Sequence, residues 1–314
     1  MTISGHLQEL HGLPAFDFPA ADAKAELPAP GSVAWRISVD AYEAEEQWEA
    51  AFARFTEAVD TTRVGALIIG SWSDAYDSGP EPVIEALVAA RDRLPALRAL
   101  FLADIIGEEC EISWINQGLV TPLLDAFPEL VEFGVRGGQE LRFPAVRHER
   151  LRSLTIETGG LNADVVRGVG ASELPALEHL DLWLGVSDYG ATTEVADLAP
   201  ILAGSRFPRL RHLAVRNSEI QDEIAIALAG APVVAALEIL DLSMGTLGDV
   251  GAEALLSGQP LTHLKKLDLH HNYLSGALRE RVLATLGAAG VEVDLEESED
   301  MDDDEDFRYT AVSE

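Results

Sequence analysis

The chain has 314 residues, 47% of them hydrophobic, and a formal net charge of -32 from 54 acidic and 22 basic side chains. A field of that sign repels nucleic acid and anionic membrane and speeds encounter with a basic partner, although solubility alone is a sufficient reason for it. The single Cys110 excludes an internal disulfide, no run approaches the length of a membrane-spanning helix, and MTISGHLQELHGLPAF lacks the features of a signal peptide, so a cytoplasmic protein is expected.

In chain order, residues 1–58 carry no repeat. Val33, Trp35, Ile37 and Val39 alternate as in an edge strand, and Trp48, Phe52, Phe55 and Val59 recur at helical spacing, which predicts a helix over about 42–58. Together these read as an N-terminal cap. Residues 59–295 then repeat one phrase eight times: VGALII from Val64, LRALFL from Leu97, LVEFGV from Leu130, LRSLTI from Leu151, LEHLDL from Leu177, LRHLAV from Leu210, LEILDL from Leu237 and LKKLDL from Leu264. Pro-containing phrases such as Leu94-Pro95-Ala96 and Phe207-Pro208-Arg209 introduce most of them.

Each phrase predicts a short strand, followed by helical stretches near 81–93, 121 onward, 162 onward, 194–203, 220–229, 249–256 and 276–287. Thr121 and Asn162 stand as N-caps. The step from Leu130 to Leu151 is too short for a strand plus a helix, so an irregular crossing is expected there. Val291, Val293 and Leu295 read as a closing strand. The acidic run EESEDMDDDED opens a 296–314 tail expected to be disordered. FRYTAV at 307–312 alternates apolar residues again; a docking segment and a plain tail both fit it.

Leu264, Leu267, Leu269, Asn272 and Leu274 make the complete pattern L-x-x-L-x-L-x-x-N-x-L, whose Asn amide can bond the backbone of a tight turn. With the strand phrases and the 27-residue spacing, this resembles the leucine-rich-repeat proteins of the ribonuclease-inhibitor type. HLQELHGLPAFDFPA, SELPALEHLDLWLG and RYTAVSE extend the resemblance to a group of cytoplasmic bacterial leucine-rich-repeat proteins, and the composition suits a GC-rich bacterium such as an actinomycete. Gly185, Ser218 and Gly245 depart from the pattern where the Asn is expected. The fold implied is an α/β solenoid, a right-handed horseshoe with a parallel sheet on the concave side and helices on the convex side. The resemblance implies a binding scaffold and supplies no catalytic residues or cofactor.

No H-E-x-x-H, Walker A or G-x-S-x-G pattern occurs, and Cys110 sits among glutamates that should raise its thiol pKa. Interest therefore falls on the outward strand positions. From Leu177 onward these read His179, Asp181 and Trp183; His212 and Arg216; Asp241; Asp268 and His270, which form the expected partner-binding surface. Trp183 beside Arg216 suits a cation-ring anchor, or else a lid over the core edge. Arg136 beside Glu157 reads as a solvated pair. The three longer repeats place Trp72 and Tyr76, Trp114, and Tyr189 in loops, either as a binding rim or as covers for the repeat ends. The expectation is a non-enzymatic scaffold for a protein partner, a basic one being favoured, with no nucleic acid or membrane involved; an inhibitor, regulator or adaptor is one form of it. The alternative is a metal-dependent hydrolase built on His179, His212 and Asp181.

Overall fold

The computed structural model describes residues 3–23, 25–297 and 308–314. Among these, twelve strands form one sheet in chain order: β1 (Glu9–Leu10), β2 (Leu13–Asp17), β3 (Ala34–Ile37), β4 (Ala66–Ile69), β5 (Ala99–Leu102), β6 (Glu132–Arg136), β7 (Ser153–Glu157), β8 (His179–Gly185), β9 (His212–Ser218), β10 (Ile239–Asp241), β11 (Lys266–Asp268) and β12 (Glu292–Asp294). Only β1 and β2 pair antiparallel; β2 through β12 pair parallel throughout.

The recurrent Pro-containing phrase closes the same turn ahead of β5, β6, β8 and β9. Leu97 N donates to Leu94 O at 3.1 Å, Leu130 N to Phe127 O at 3.0 Å, Leu177 N to Leu174 O at 3.1 Å and Leu210 N to Phe207 O at 3.0 Å. Proline's fixed φ suits the second position of such a turn. Past it, alternate strand residues point to the helical side and form the core: Leu100, Leu102, Leu154, Ile156, Leu180, Leu182, Leu213 and Leu240 are all fully buried. Each such side chain contributes roughly 1.5–3 kcal/mol on leaving water.

Opposite lie the helices α1 (Trp48–Ala58), α2 (Glu81–Ala89), α3 (Thr121–Ala126), α4 (Ala163–Ala171), α5 (Ala199–Leu202), α6 (Gln221–Leu228), α7 (Asp249–Ser257) and α8 (Gly276–Thr285). Asn162 caps α4 by accepting from Asp164 N. Thr121 itself begins α3, with Val120 in the capping place. No helix joins β6 to β7. The chain crosses there through single parallel bridges, Asn116 to Gln139 and Leu119 to Arg142. Asn272 shows what the full turn does: its Nδ2 donates to Leu269 O at 2.8 Å while its Oδ1 accepts from Leu274 N at 3.2 Å.

One further expectation requires correction. The strand containing Trp35 is not an edge, because β1 and β2 lie outside it; their phrase LPAFD has too little alternation to stand out. Of the two readings of the C-terminal residues, 308–314 fit the docking segment: Thr310 and Val312 are buried. The remainder of the acidic run, 298–307, lies outside the described residues.

Candidate partner-binding surface

The register sets outward side chains in columns. His179 pairs with Ser153 on one side and His212 on the other, Ile239 follows His212, and Lys266 follows Ile239. Asp241 stands beside Asp268, and Trp183 beside Arg216. The sequence columns and the strand register agree.

What these residues do differs from a set of exposed contacts. Arg216 donates from Nε to Asp181 Oδ1 at 3.0 Å and from Nη2 to Asp181 Oδ2 at 2.6 Å, and its Nη1 lies 3.4 Å from Asp241 Oδ2. Its guanidinium also sits 5.1 Å from the centre of the Trp183 ring. Asp181, Trp183, Asp241 and Asp268 are all buried. Burial pulls the Arg216 pKa down, but Asp181 and Asp241 raise it further, so it stays charged. Burial likewise pushes Asp241 up despite Arg216. Arg216, Asp181 and Asp241 thus pair with one another inside the wall, and of the two readings given for Trp183 its burial fits the cover and not the open anchor.

Above them the column of His179, His212, Ile239 and Lys266 remains half-exposed. The imidazoles of His179 and His212 stack with centroids 4.2 Å apart and planes at 18°, and His179 Nδ1 lies 3.0 Å from Ser153 Oγ. Burial keeps both rings neutral, with the His212 pKa lowered to about 4, aided by its neighbour His179. Stacked rings beside a carboxylate already held at both oxygens do not converge on an ion, so the arrangement does not support the alternative of a metal cluster of His179, His212 and Asp181. Among the described residues one other trio, Asp268, His270 and Asp294, has ligand atoms within 4.8 Å of one another. There the Lys266 ammonium, 2.9 Å from Asp268 Oδ2, already supplies the positive charge. His270 Nδ1 lies 2.7 Å from Asp268 Oδ1, and that contact raises the His270 pKa.

The earlier half of the wall is closed. Arg36 Nε donates to Asp104 Oδ2 at 2.8 Å, Arg136 Nη1 reaches Asp104 Oδ1 at 3.2 Å, and Arg136 Nε donates to Glu157 Oε2 at 2.8 Å. Arg136 is 3% exposed and Glu157 9%, so this is an interior network and not the solvated pair expected. The N-terminal segment covers it: Leu7 N donates to the Asp104 carboxylate, and Leu10 packs on Ala34, Ala66, Ile68, Ala99 and Phe101. The apolar outward positions of these strands carried that signal, since an apolar wall needs a cover.

At the rim, residues 308–314 run back across successive repeats. His271 Nε2 lies 3.0 Å from Tyr309 O, Ala311 N donates to Met244 O at 2.7 Å, and Asn217 bonds both backbone groups of Val312, donating at 2.6 Å and accepting at 2.9 Å. Asn217, Met244 and His271 all have positive φ, of 51°, 65° and 52°. Left-handed backbone at non-glycine residues is costly and persists where surrounding contacts fix it. Here it turns each repeat toward the segment. Val312 closes on Trp183, Met244 and Ile112, which is why Trp183 is covered. Nothing in the local sequence of Asn217 marks this role.

The loop aromatics separate into two kinds. Trp72 is buried in the core, with its Nε1 donating to Ser78 O at 2.9 Å, and is a cover. Tyr76, Trp114 and Tyr189, from three different loops, come together: Tyr76 and Trp114 are 5.8 Å apart, Trp114 and Tyr189 6.1 Å at 87°. Tyr76 is 55% exposed and Trp114 39%. Cys110 is buried, and burial, then Glu111, pushes its thiol up to about 11.

Among the described residues no helix is long and apolar enough to cross a membrane. A family described as "Leucine Rich repeat" matches residues 209–229 and 236–256, the repeats that present His212, Arg216 and Asp241. No curated protein matches the chain. Among solved structures, the chain is similar to a protein from Bacteroides fragilis at 29% identity, over 81% of this chain and 70% of that one, with a TM-score of 0.73. Repeated phrase, register and structural likeness agree: the chain is a leucine-rich-repeat solenoid.

Proposed function

We propose that this protein is a non-enzymatic scaffold that binds a protein partner in the cytoplasm, across the half-open columns of β7 to β11 and the aromatic rim beside them. The observation that carries this reading is the column of Ser153, His179, His212, Ile239 and Lys266. Each is half-exposed, and the parallel backbone pairing of β7 to β11 sets them in one register. A preordered face loses little side-chain freedom on binding. A net charge of -32 favours a basic partner and disfavours nucleic acid. Inhibition or regulation of a basic enzyme is the form of function that such a wall suits, by analogy of fold.

Photocrosslinking tests it. A photoreactive residue at Ser153 or Ile239 on the inner wall is expected to give a defined adduct in the native cytoplasm, and one at Leu283, 48% exposed on the convex α8, is not. Adducts from Leu283 alone, or from none of the three, would remove the inner wall as the binding face.

A further inference from the structure

A cleft of about 830 Å³ opens at the rim, between the loops that follow β5, β6, β7 and β8. Trp114 and Tyr189 stand on its lining with planes at 87°, so that the two rings present perpendicular faces. Its floor is apolar, with Leu141, Phe143 and Val165 all buried. Carboxylates dominate the mouth: Glu140, Asp164 and Asp188 are exposed, against the single guanidinium of Arg142. Asp164 already holds Arg167 at 2.7 Å, which leaves Glu140 and Asp188 as the acids that face a guest.

Tyr189 is tied to the C-terminus: its hydroxyl donates to the Glu314 side chain, and that bond first, then burial, pushes the phenol up to about 12, with Glu111 and Asp188 adding in the same direction. A crossed pair of π faces amid carboxylates disfavours added negative charge and attracts a cation. Guanidinium suits it better than ammonium. It is planar, stacks on rings and is weakly hydrated, while its three-carbon stem can lie along apolar side chains.

We propose that this cleft receives an arginine side chain from a basic segment of the protein partner, with the guanidinium against Trp114 and Tyr189 and its donors toward Glu140 and Asp188. The assignment rests on the scaffold reading for the identity of its guest, and it deepens that reading at the aromatic rim by naming the chemical group the rim takes. Charge complementarity selects the occupant. The chain carries 54 acidic residues, and the cleft lining has three carboxylates to one guanidinium. The C-terminal residues bound the same site, since Ser113, on the lining, donates to Ser313 O.

The test uses the full chain and three labelled peptides of equal length, glycine alternating with arginine, lysine or glutamate, titrated at 0.15 M salt. So acidic a protein attracts any cationic peptide, so the readout is the difference between the first two. The arginine peptide is expected to bind about tenfold more tightly than the lysine peptide, and Trp114→Ala to abolish that difference while leaving lysine binding unchanged. Glu140→Gln with Asp188→Asn is expected to weaken the arginine peptide several-fold, with Trp114→Phe retaining most of the preference. In the unmodified protein the Trp114 indole N–H resonance should shift with the arginine peptide and not with the glutamate one, a measurement independent of whether any variant folds.

Equal arginine and lysine affinities, or an arginine preference that survives Trp114→Ala, would overturn the cleft. A partner crosslinked from Ser153 or Ile239 that ignores Trp114→Ala overturns the cleft and leaves the scaffold standing. An arginine-selective cleft without any inner-wall adduct does the reverse.

Discussion

The two halves of the inner wall are built on one backbone template and end in opposite states. From β3 to β5 the outward residues Ala34, Ala66, Ile68, Ala99 and Phe101 are apolar, Arg36 being paired to the buried Asp104, and the chain's own N-terminal segment seals them under Leu10. From β7 to β11 the outward residues are mostly polar, with Trp183, Ala214 and Ile239 among them. Their charges pair sideways within the wall, and the outermost column stays half-open. Apolar surface in contact with water is unfavourable and recruits a cover, whereas a satisfied polar surface is tolerated open. The proposed inner-wall face accordingly lies in the second half, where the outermost column is not covered by the chain's own N-terminal segment.

Breaking the sealed half should have the largest effect. Asp104 is fully buried and holds Arg36, Arg136 and the Leu7 backbone, so Asp104→Ala leaves two buried guanidinium groups without their shared partner. A loss of about 3–5 kcal/mol in urea unfolding is expected. A loss below about 1 kcal/mol would mean that the network is dispensable to the fold.

The rim of the open half is the next place to probe. Asn217→Ala removes both hydrogen bonds to Val312 and puts alanine at a φ of 51°. About 2 kcal/mol should be lost, with faster amide exchange at Val312 and Ala311. Unchanged exchange there would show that the C-terminal residues do not depend on this contact.

At neutral pH the smallest effect is that at His212, whose contribution shows only as pH falls. His212 has a folded pKa of about 4 against an ordinary 6.5, lowered chiefly by burial. Between those values the unfolded chain binds a proton that the folded one does not. This contribution to stability is therefore whole above pH 6.5 and is lost as pH falls toward 4. His212→Asn should flatten the pH dependence of the urea midpoint across that window, and an unaltered slope would place the imidazole in contact with water.

The leucine spacing made the solenoid legible, because the core positions of a repeat are fixed by the periodicity of a strand and cannot be met by another arrangement of the same residues. The columns were legible for the same reason. Trp183 and Arg216 meet as their register required, at 5.1 Å. Their exposure was not legible: Trp183 is closed by Val312, a residue far along the chain whose approach no local pattern encodes. Arg136 and Glu157 read as a solvated pair for the same reason, since the buried Asp104 that accepts from Arg136 lies in another repeat.

By itself, then, the sequence determined the repeat, the strand register and which side chains face outward, since each follows from local geometry applied again and again. The tertiary structure alone decided which outward side chains still meet solvent, because that depends on where the two ends of the chain come to rest. It also brought Tyr76, Trp114 and Tyr189 together from three loops, a meeting set by how the repeats stack and not by anything within one of them.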